Sequence, residues 1–200
     1  MPRLINAIWL EITTGCNRRC PDCCCGVGRR PVVHHPWEYF EDLARVTGKF
    51  RHLHLTGGEP LFHPQFDDFA PRWRGLFGIE RLTVWTTGYR AREHEAALAN
   101  FDLIWGTKYN GDNADEIAWL VKRFKITYWE GPHIPISRPG PGRPCGRGLT
   151  DAMAAYANGR FYPCCQGPGI PGAESLEPCA DWTTRVLDVP LPCGECCFSE

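Results

Sequence analysis

Two hundred residues suffice for one domain with a small appendage, and for a buried core that needs no disulfide staples. Twenty-two basic residues against 23 acidic leave a net charge of −1, which argues against a broad nucleic-acid footprint, although a single arginine still grips a phosphate or carboxylate locally. Glu11 interrupts the N-terminal apolar run too early for a signal peptide and no stretch reaches membrane length, so the expected compartment is the reducing cytoplasm, where the 12 cysteines would bind metal rather than form disulfides.

Ala7 to Thr13 (AIWLEIT), His52 to Thr56 (HLHLT) and Leu82 to Thr87 (LTVWTT) read as three strands. Leu103 to Tyr109 and Ile126 to Glu130 read as a fourth and fifth. Between them, Trp37, Phe40, Leu43 and Val46 place one apolar helix face after Pro36, and Ile117, Leu120, Val121 and Phe124 place another before the fifth strand. Strands alternating with helices predict a parallel sheet with right-handed crossovers. A closed eight-fold barrel takes roughly 250 residues, so the expected fold is α/β: a partial (β/α) barrel of five or six units over residues 1–130. Residues 131–144 (GPHIPISRPGPGRP) are too rich in Pro and Gly for regular structure and read as a linker. Residues 145–200 then form a small cysteine-rich C-terminal domain, opening with a hairpin over Asp151 to Cys165 that turns at Asn158-Gly159.

Cys16, Cys20 and Cys23 form C-x3-C-x2-C directly after the first strand, at the strand end where parallel α/β folds collect ligands. Three thiolates on a tight loop hold three irons of a 4Fe–4S cluster and leave the fourth iron open, whereas a structural zinc site calls for a fourth ligand. Cys24 and Cys25 read as buried small hydrophobes or incidental thiols, with competition for a place as cluster ligand the alternative.

This triad, followed by Gly57-Gly58-Glu59-Pro60 at the end of the second strand, resembles the radical S-adenosylmethionine (SAM) superfamily over roughly residues 7 to 130. The resemblance implies that SAM's methionine moiety chelates the open iron. It places the amino group against Gly57, Gly58, Glu59 and Pro60, where glycines permit close backbone approach and Glu59 supplies an acceptor. It also puts Thr87 near the cofactor and offers Thr107 or Lys108 to the ribose or carboxylate. One departure stands out: the residue before the third cysteine, often aromatic in this family, is Asp22.

Seven cysteines fall in the last 56 residues. Cys145, Gly159 and Cys164 make C-x13-G-x4-C, which resembles the opening of SPASM and twitch domains, the auxiliary-cluster appendages of radical SAM enzymes. Cys193-x2-Cys196 is a two-ligand knuckle for iron–sulfur or zinc. Cys145, Cys164, Cys193 and Cys196 would close a second, fully ligated 4Fe–4S cluster in a one-cluster twitch arrangement. Cys179 competes for a place, the pairs Cys164-Cys165 and Cys196-Cys197 leave the choice within each pair open, and zinc is the alternative metal.

The resemblance implies reductive cleavage of SAM to a 5′-deoxyadenosyl radical, which removes hydrogen from a substrate carbon, with an auxiliary cluster serving electron transfer. Oxidation or crosslinking of a peptide is the expected outcome, a small-molecule dehydrogenase or tailoring enzyme the alternative, and a non-enzymatic zinc or iron–sulfur module a remote one. The expected partners are that substrate and a reductant such as flavodoxin or ferredoxin, with no membrane and no nucleic acid. Tyr109, Asn110, Tyr128, Glu130 and His133 are candidate substrate-facing residues, and no catalytic acid or base is assigned.

Overall fold

The computed structural model describes residues 6–20, 23, 25–109, 112–130, 138–143, 153–163, 174–179, 181–186 and 191–195. Strands β1 (Ala7–Glu11), β2 (His52–Thr56), β3 (Arg81–Thr86), β4 (Leu103–Lys108) and β5 (Thr127–Glu130) pair in parallel, each with the next. Helices α1 (Trp37–Thr47) and α5 (Ala114–Phe124) cross between strands, with the short helices α2 (Phe66–Phe69), α3 (Trp73–Phe77) and α4 (Glu95–Leu98) between them. The expected strands and the two long helices are thus present, and the sheet stays open.

The tail departs from expectation. Strand β7 (Met153–Ala157) pairs in parallel with β1, and β8 (Arg160–Tyr162) folds back on β7 across Asn158 and Gly159, both at positive φ. The hairpin read from the Asn-Gly signal therefore forms, yet it extends the main sheet, whose order is β5-β4-β3-β2-β1-β7-β8. Ala154 and Ala155 are buried where β7 pairs with β1. Within the segment read as an irregular linker, β6 (Arg138–Arg143) pairs antiparallel with β9 (Leu191–Glu195), with register shifts at Pro139. A two-stranded ribbon has two free edges, and proline is tolerated at edges and bulges.

Strand alternation explains the core. Ile8, Leu10, Leu53, Leu55, Leu82, Val84 and Ile104 point toward the helices and are buried. Opposite them, Trp37 and Phe40 of α1 pack with Phe69, Trp73 and Phe77. Burial of each such ring stabilises by about 1.5–3 kcal/mol. Val46 and Val121, expected on apolar helix faces, are 36% exposed because they sit at the edge of each stripe.

The other sheet face is aromatic. Trp9 stacks on His54 at 5.2 Å and meets Trp85 at 4.6 Å, and Trp85 stacks on Trp105 at 4.7 Å. The Trp85 indole N–H donates to His54 Nδ1 at 3.5 Å. Below the strand ends, His63 is 2% exposed. Its Nε2 donates to the His35 carbonyl at 3.0 Å and its Nδ1 accepts the Gln65 N–H at 3.1 Å, which fixes the neutral tautomer.

Burial lowers His35, His54 and His63 to about 4 each. The unfolded chain protonates them near 6.5, so between those values it holds more protons than the folded chain, and stability falls as pH drops from about 6.5 toward 4. The limit is about 1.4 kcal/mol per pH unit for each histidine. Urea midpoints should decline through this window, and a flat profile from pH 7 to 5 would contradict the neutral buried state.

Candidate active site

The conserved chemistry of a parallel sheet gathers at its carboxyl edge, and here the chain reverses direction across β1: β2 lies on one side, β7 on the other. Such a switch point opens a crevice beyond the strand ends. The loop leaving β1 carries Cys16, Cys20 and Cys23, all half-buried and outside any disulfide.

The base of that loop is stapled. Thr13 Oγ1 bonds the Val33 carbonyl at 3.0 Å and His34 Nδ1 at 2.8 Å, and it accepts the Gly15 N–H at 2.9 Å. Thr14 Oγ1 donates to the Pro31 carbonyl at 2.6 Å and accepts the Val33 N–H at 2.7 Å. Buried Glu11, at the end of β1, pairs with Arg30 at the far end of the loop, and Arg30 also donates to Asn158 Oδ1 at 2.5 Å. One ion pair thus joins β1, the cysteine loop and the β7–β8 turn.

The Gly-Gly segment after β2 lies directly against the first cysteine. Gly58 N–H donates to the Thr13 carbonyl at 2.8 Å and Glu59 N–H to the Gly15 carbonyl at 2.9 Å. Gly57 has φ +145°, and a Cβ there would stand 2.3 Å from the Thr13 oxygen. A Cβ on Gly58 would stand 2.2 Å from the Gly15 oxygen and 2.8 Å from Cys16 Cβ. Both positions require glycine because backbone meets backbone.

Glu59 is fully buried. Its Oε1 accepts from Leu61 N–H at 3.1 Å and Thr86 Oγ1 at 2.6 Å; its Oε2 accepts from Thr87 N–H and Thr87 Oγ1, both at 2.7 Å. Burial pushes its carboxyl above the ordinary value, and the donors offset that only in part. Four donors fill a carboxylate's acceptor sites. Glu59 is thereby committed to tying β2 to β3 and to starting the 3-10 turn at Pro60–Phe62, and its carboxylate is occupied by the protein's own groups. Thr87 has both its N–H and its hydroxyl on that carboxylate.

Thr107 is 9% exposed on the aromatic side of β4. Lys108 alternates to the helix side, with its ammonium 6.0 Å from the Tyr128 ring. The two β4 candidates therefore point to opposite faces, and Tyr128, 42% exposed, lies with Lys108. Sequence reading missed Arg18 and Asn113. Arg18 stacks over Tyr109 at 4.3 Å and pairs with Asp112 at 3.4 Å, and Asn113 bridges the ends of β3 and β4. The signal for Asn113 was its place before Ala114-Asp115-Glu116, a helix-start pattern.

Burial, with repulsion from Glu59, Cys20 and Cys23, pushes the Cys16 thiol up to about 12, against the opposing pull of the Arg18 N–H at 3.4 Å. Among the described residues no three His, Cys, Asp or Glu side chains are gathered at metal-holding distance. The donor set nonetheless fits a cluster: three reduced thiols share one loop, within electrostatic reach of one another, beside a side-chain-free backbone. Ligation by iron would displace thiol protons and close the loop. Asp22, Asn110, His133, Cys145, Cys164 and Cys196 lie outside the described residues. Cys193 lies in β9 opposite Pro139, and Cys179 packs against the main core, its sulfur 3.6 Å from an Arg185 nitrogen.

Residues 10–105 match the family model described as the Radical SAM superfamily. This segment is similar to radical SAM domains. It includes Cys16, Cys20, Cys23, Gly57 to Pro60 and Thr87, and ends before Thr107. The GTP 3′,8-cyclase of Geobacter sulfurreducens is 31% identical over 101 residues, 48% of this chain and 31% of that protein. That of Aeromonas hydrophila subsp. hydrophila is 34% identical over 93 residues, 42% of this chain and 27% of that protein. The chain thus spans less than a third of the length of these relatives. Among solved structures, BtrN in complex with AdoMet and 2-DOIA superposes with a TM-score of 0.58 at 15% identity, covering 83% of this chain and 75% of that one. An open conformation of BtrN gives 0.53 at 16% identity, covering 82% and 72%. The likeness to BtrN establishes the α/β fold with its parallel-dominated sheet. No helix among the described residues is long and apolar enough to cross a membrane.

Replacing Gly58 with Ala should cost about 2 kcal/mol or more, since neither contacting backbone can retreat. Gly75→Ala in α3, with open space around the added methyl, should be neutral or stabilising by up to about 1 kcal/mol. Thermal melts of the two variants separate these outcomes; equal melting points would refute the close approach.

Proposed function

We propose that the chain is a radical SAM enzyme, with Cys16, Cys20 and Cys23 holding a 4Fe–4S cluster whose open iron takes SAM. The observation that carries this reading is the direct seating of Gly57 and Gly58 on the backbone of the Cys16 loop, inside the matched domain. When bound, the reduced cluster supplies one electron to SAM, releasing methionine and a 5′-deoxyadenosyl radical that takes hydrogen from a substrate carbon. The protein's own part is geometric. Its glycines seat the segment after β2 on the cysteine loop, Glu59 and the Thr86-Thr87 pair fix the rim, and the half-buried indoles of Trp9, Trp85 and Trp105 floor the sheet beneath it.

A small molecule is the substrate we favour, because the matched relatives are named for chemistry on GTP, a small molecule. Peptide oxidation or crosslinking is the second reading, supported by the cysteine-rich tail and its twitch-like spacing. In both, Cys145, Cys164, Cys193 and Cys196 would hold a second, fully ligated cluster, which would supply an acceptor for the electron left by the substrate radical. The enzyme works in the cytoplasm with a flavodoxin or ferredoxin as reductant.

Changing Cys16, Cys20 and Cys23 together to Ala should abolish 5′-deoxyadenosine formation from SAM with dithionite while sparing iron in the tail. Undiminished formation would sink the assignment. Anaerobic reconstitution should give about eight irons and eight sulfides per chain, and replacing Cys193 and Cys196 should remove about four of each. Four irons with one zinc in the wild-type chain would eliminate the second cluster, and normal iron in the double variant would shift the ligand set toward Cys179, Cys165 and Cys197.

A further inference from the structure

We propose that Asn113 is a positioning residue for SAM, holding the ends of β3 and β4 at the spacing the cofactor needs and seating the cysteine loop through Tyr109. This rests on the reading of the chain as a SAM-cleaving enzyme.

Asn113 stands immediately before α5 and is 5% exposed. An asparagine at this place ordinarily caps the helix with its side-chain oxygen, and here it makes no such bond. Its Nδ2 donates instead to the Thr87 carbonyl at 2.6 Å and the Thr107 carbonyl at 2.8 Å, while its Oδ1 accepts the Tyr109 N–H at 2.8 Å. The last paired residues of β3 and β4 are Thr86 and Gly106. Thr87 and Thr107 are the next step beyond that pair, where the ladder stops. The amide therefore replaces the missing backbone bonds and fixes how far the two strand ends stand apart.

Only a side-chain amide supplies two donors and an acceptor from one planar group. Aspartate would keep the bond from Tyr109 and set a charge against two carbonyl oxygens. The bonds converge on Thr87, whose N–H and hydroxyl are held by Glu59 and whose carbonyl is held by Asn113. From Tyr109 the contacts run on to the cysteines. Arg18 lies over the Tyr109 ring and pairs with Asp112, whose N–H donates to the Tyr109 carbonyl at 2.8 Å. The Arg18 N–H in turn donates to Cys16 Sγ at 3.4 Å. A continuous path of named contacts thus links the β3–β4 gap to the first cysteine sulfur. Groups that orient a site from behind typically change affinity by about 10–100-fold when removed.

The test uses the full reconstituted chain and SAM itself as the probe, by equilibrium dialysis and by the change in the reduced cluster's EPR signal on SAM addition. Asn113→Ala should raise the Kd for SAM about tenfold or more and blunt the EPR change, with iron content unchanged. Asn113→Asp is near-isosteric and keeps the Tyr109 bond, so it tests the donor role even where the alanine variant folds poorly, and it should weaken SAM equally. Phe40→Leu, destabilised in the core far from the rim, should bind SAM as the wild type does. Wild-type affinity in Asn113→Asp, or equal loss in Phe40→Leu, would overturn the proposal. A wild-type chain that binds no SAM would overturn the functional reading itself, which separates the two failures.

Discussion

A buried carboxylate holds the working edge of this protein together. Glu59 has no water to share its charge, so its stability depends on the four donors that surround it. Those donors come from its own 3-10 turn and from the end of β3. The same backbone segment lays Gly57 and Gly58 on Thr13 and Gly15. Charge satisfaction, strand spacing and the seat of the first cysteine are one arrangement. Loss of any donor leaves a buried charge short of a partner, which is costlier than the loss of an ordinary surface hydrogen bond.

A second brace works from the opposite side of the loop. Glu11 and Arg30 are nearly removed from water, and an isolated pair of this kind repays its desolvation only with good geometry and further bonds. The two-pronged contact and the added bond to Asn158 supply both. The pair's value here is positional: it fixes where the long cysteine loop returns to the sheet.

Much of this was legible in the residues. Alternation in HLHLT put Leu53 and Leu55 toward the helices, the Pro36 start signal placed α1, and Asn158-Gly159 marked the turn it forms. The triad and the Gly-Gly-Glu-Pro segment follow β1 and β2, as their order in the chain implies. What escaped was long-range. Nothing in MAAYA announces a partner, because alanine has weak strand preference and the pairing with β1 is long-range. RPGPGR reads as irregular, and its pairing with β9 is a tertiary fact. The internal bonds of Glu59 depend largely on the end of β3, which the motif does not contain. Asn113 carried a helix-start signal and spends its side chain elsewhere. Lys108 and Thr107 were offered as equivalents, and strand alternation sends them to opposite faces.

The central place of β1 has a consequence for how the chain acquires its structure. Ala7 pairs with His52 on one side and with Met153 on the other, most of the chain away. During synthesis the first partner emerges early and the second late. Until β7 arrives, the backbone of Ile8 and Leu10 presents an open sheet edge, a template for stray pairing with other chains. Folding must then close a large loop before the last long-range contacts reward it, which slows the final step. Asn158 reaches Arg30 only after that closure, so the cysteine loop takes this bracing only once β7 and the turn that follows it have been made.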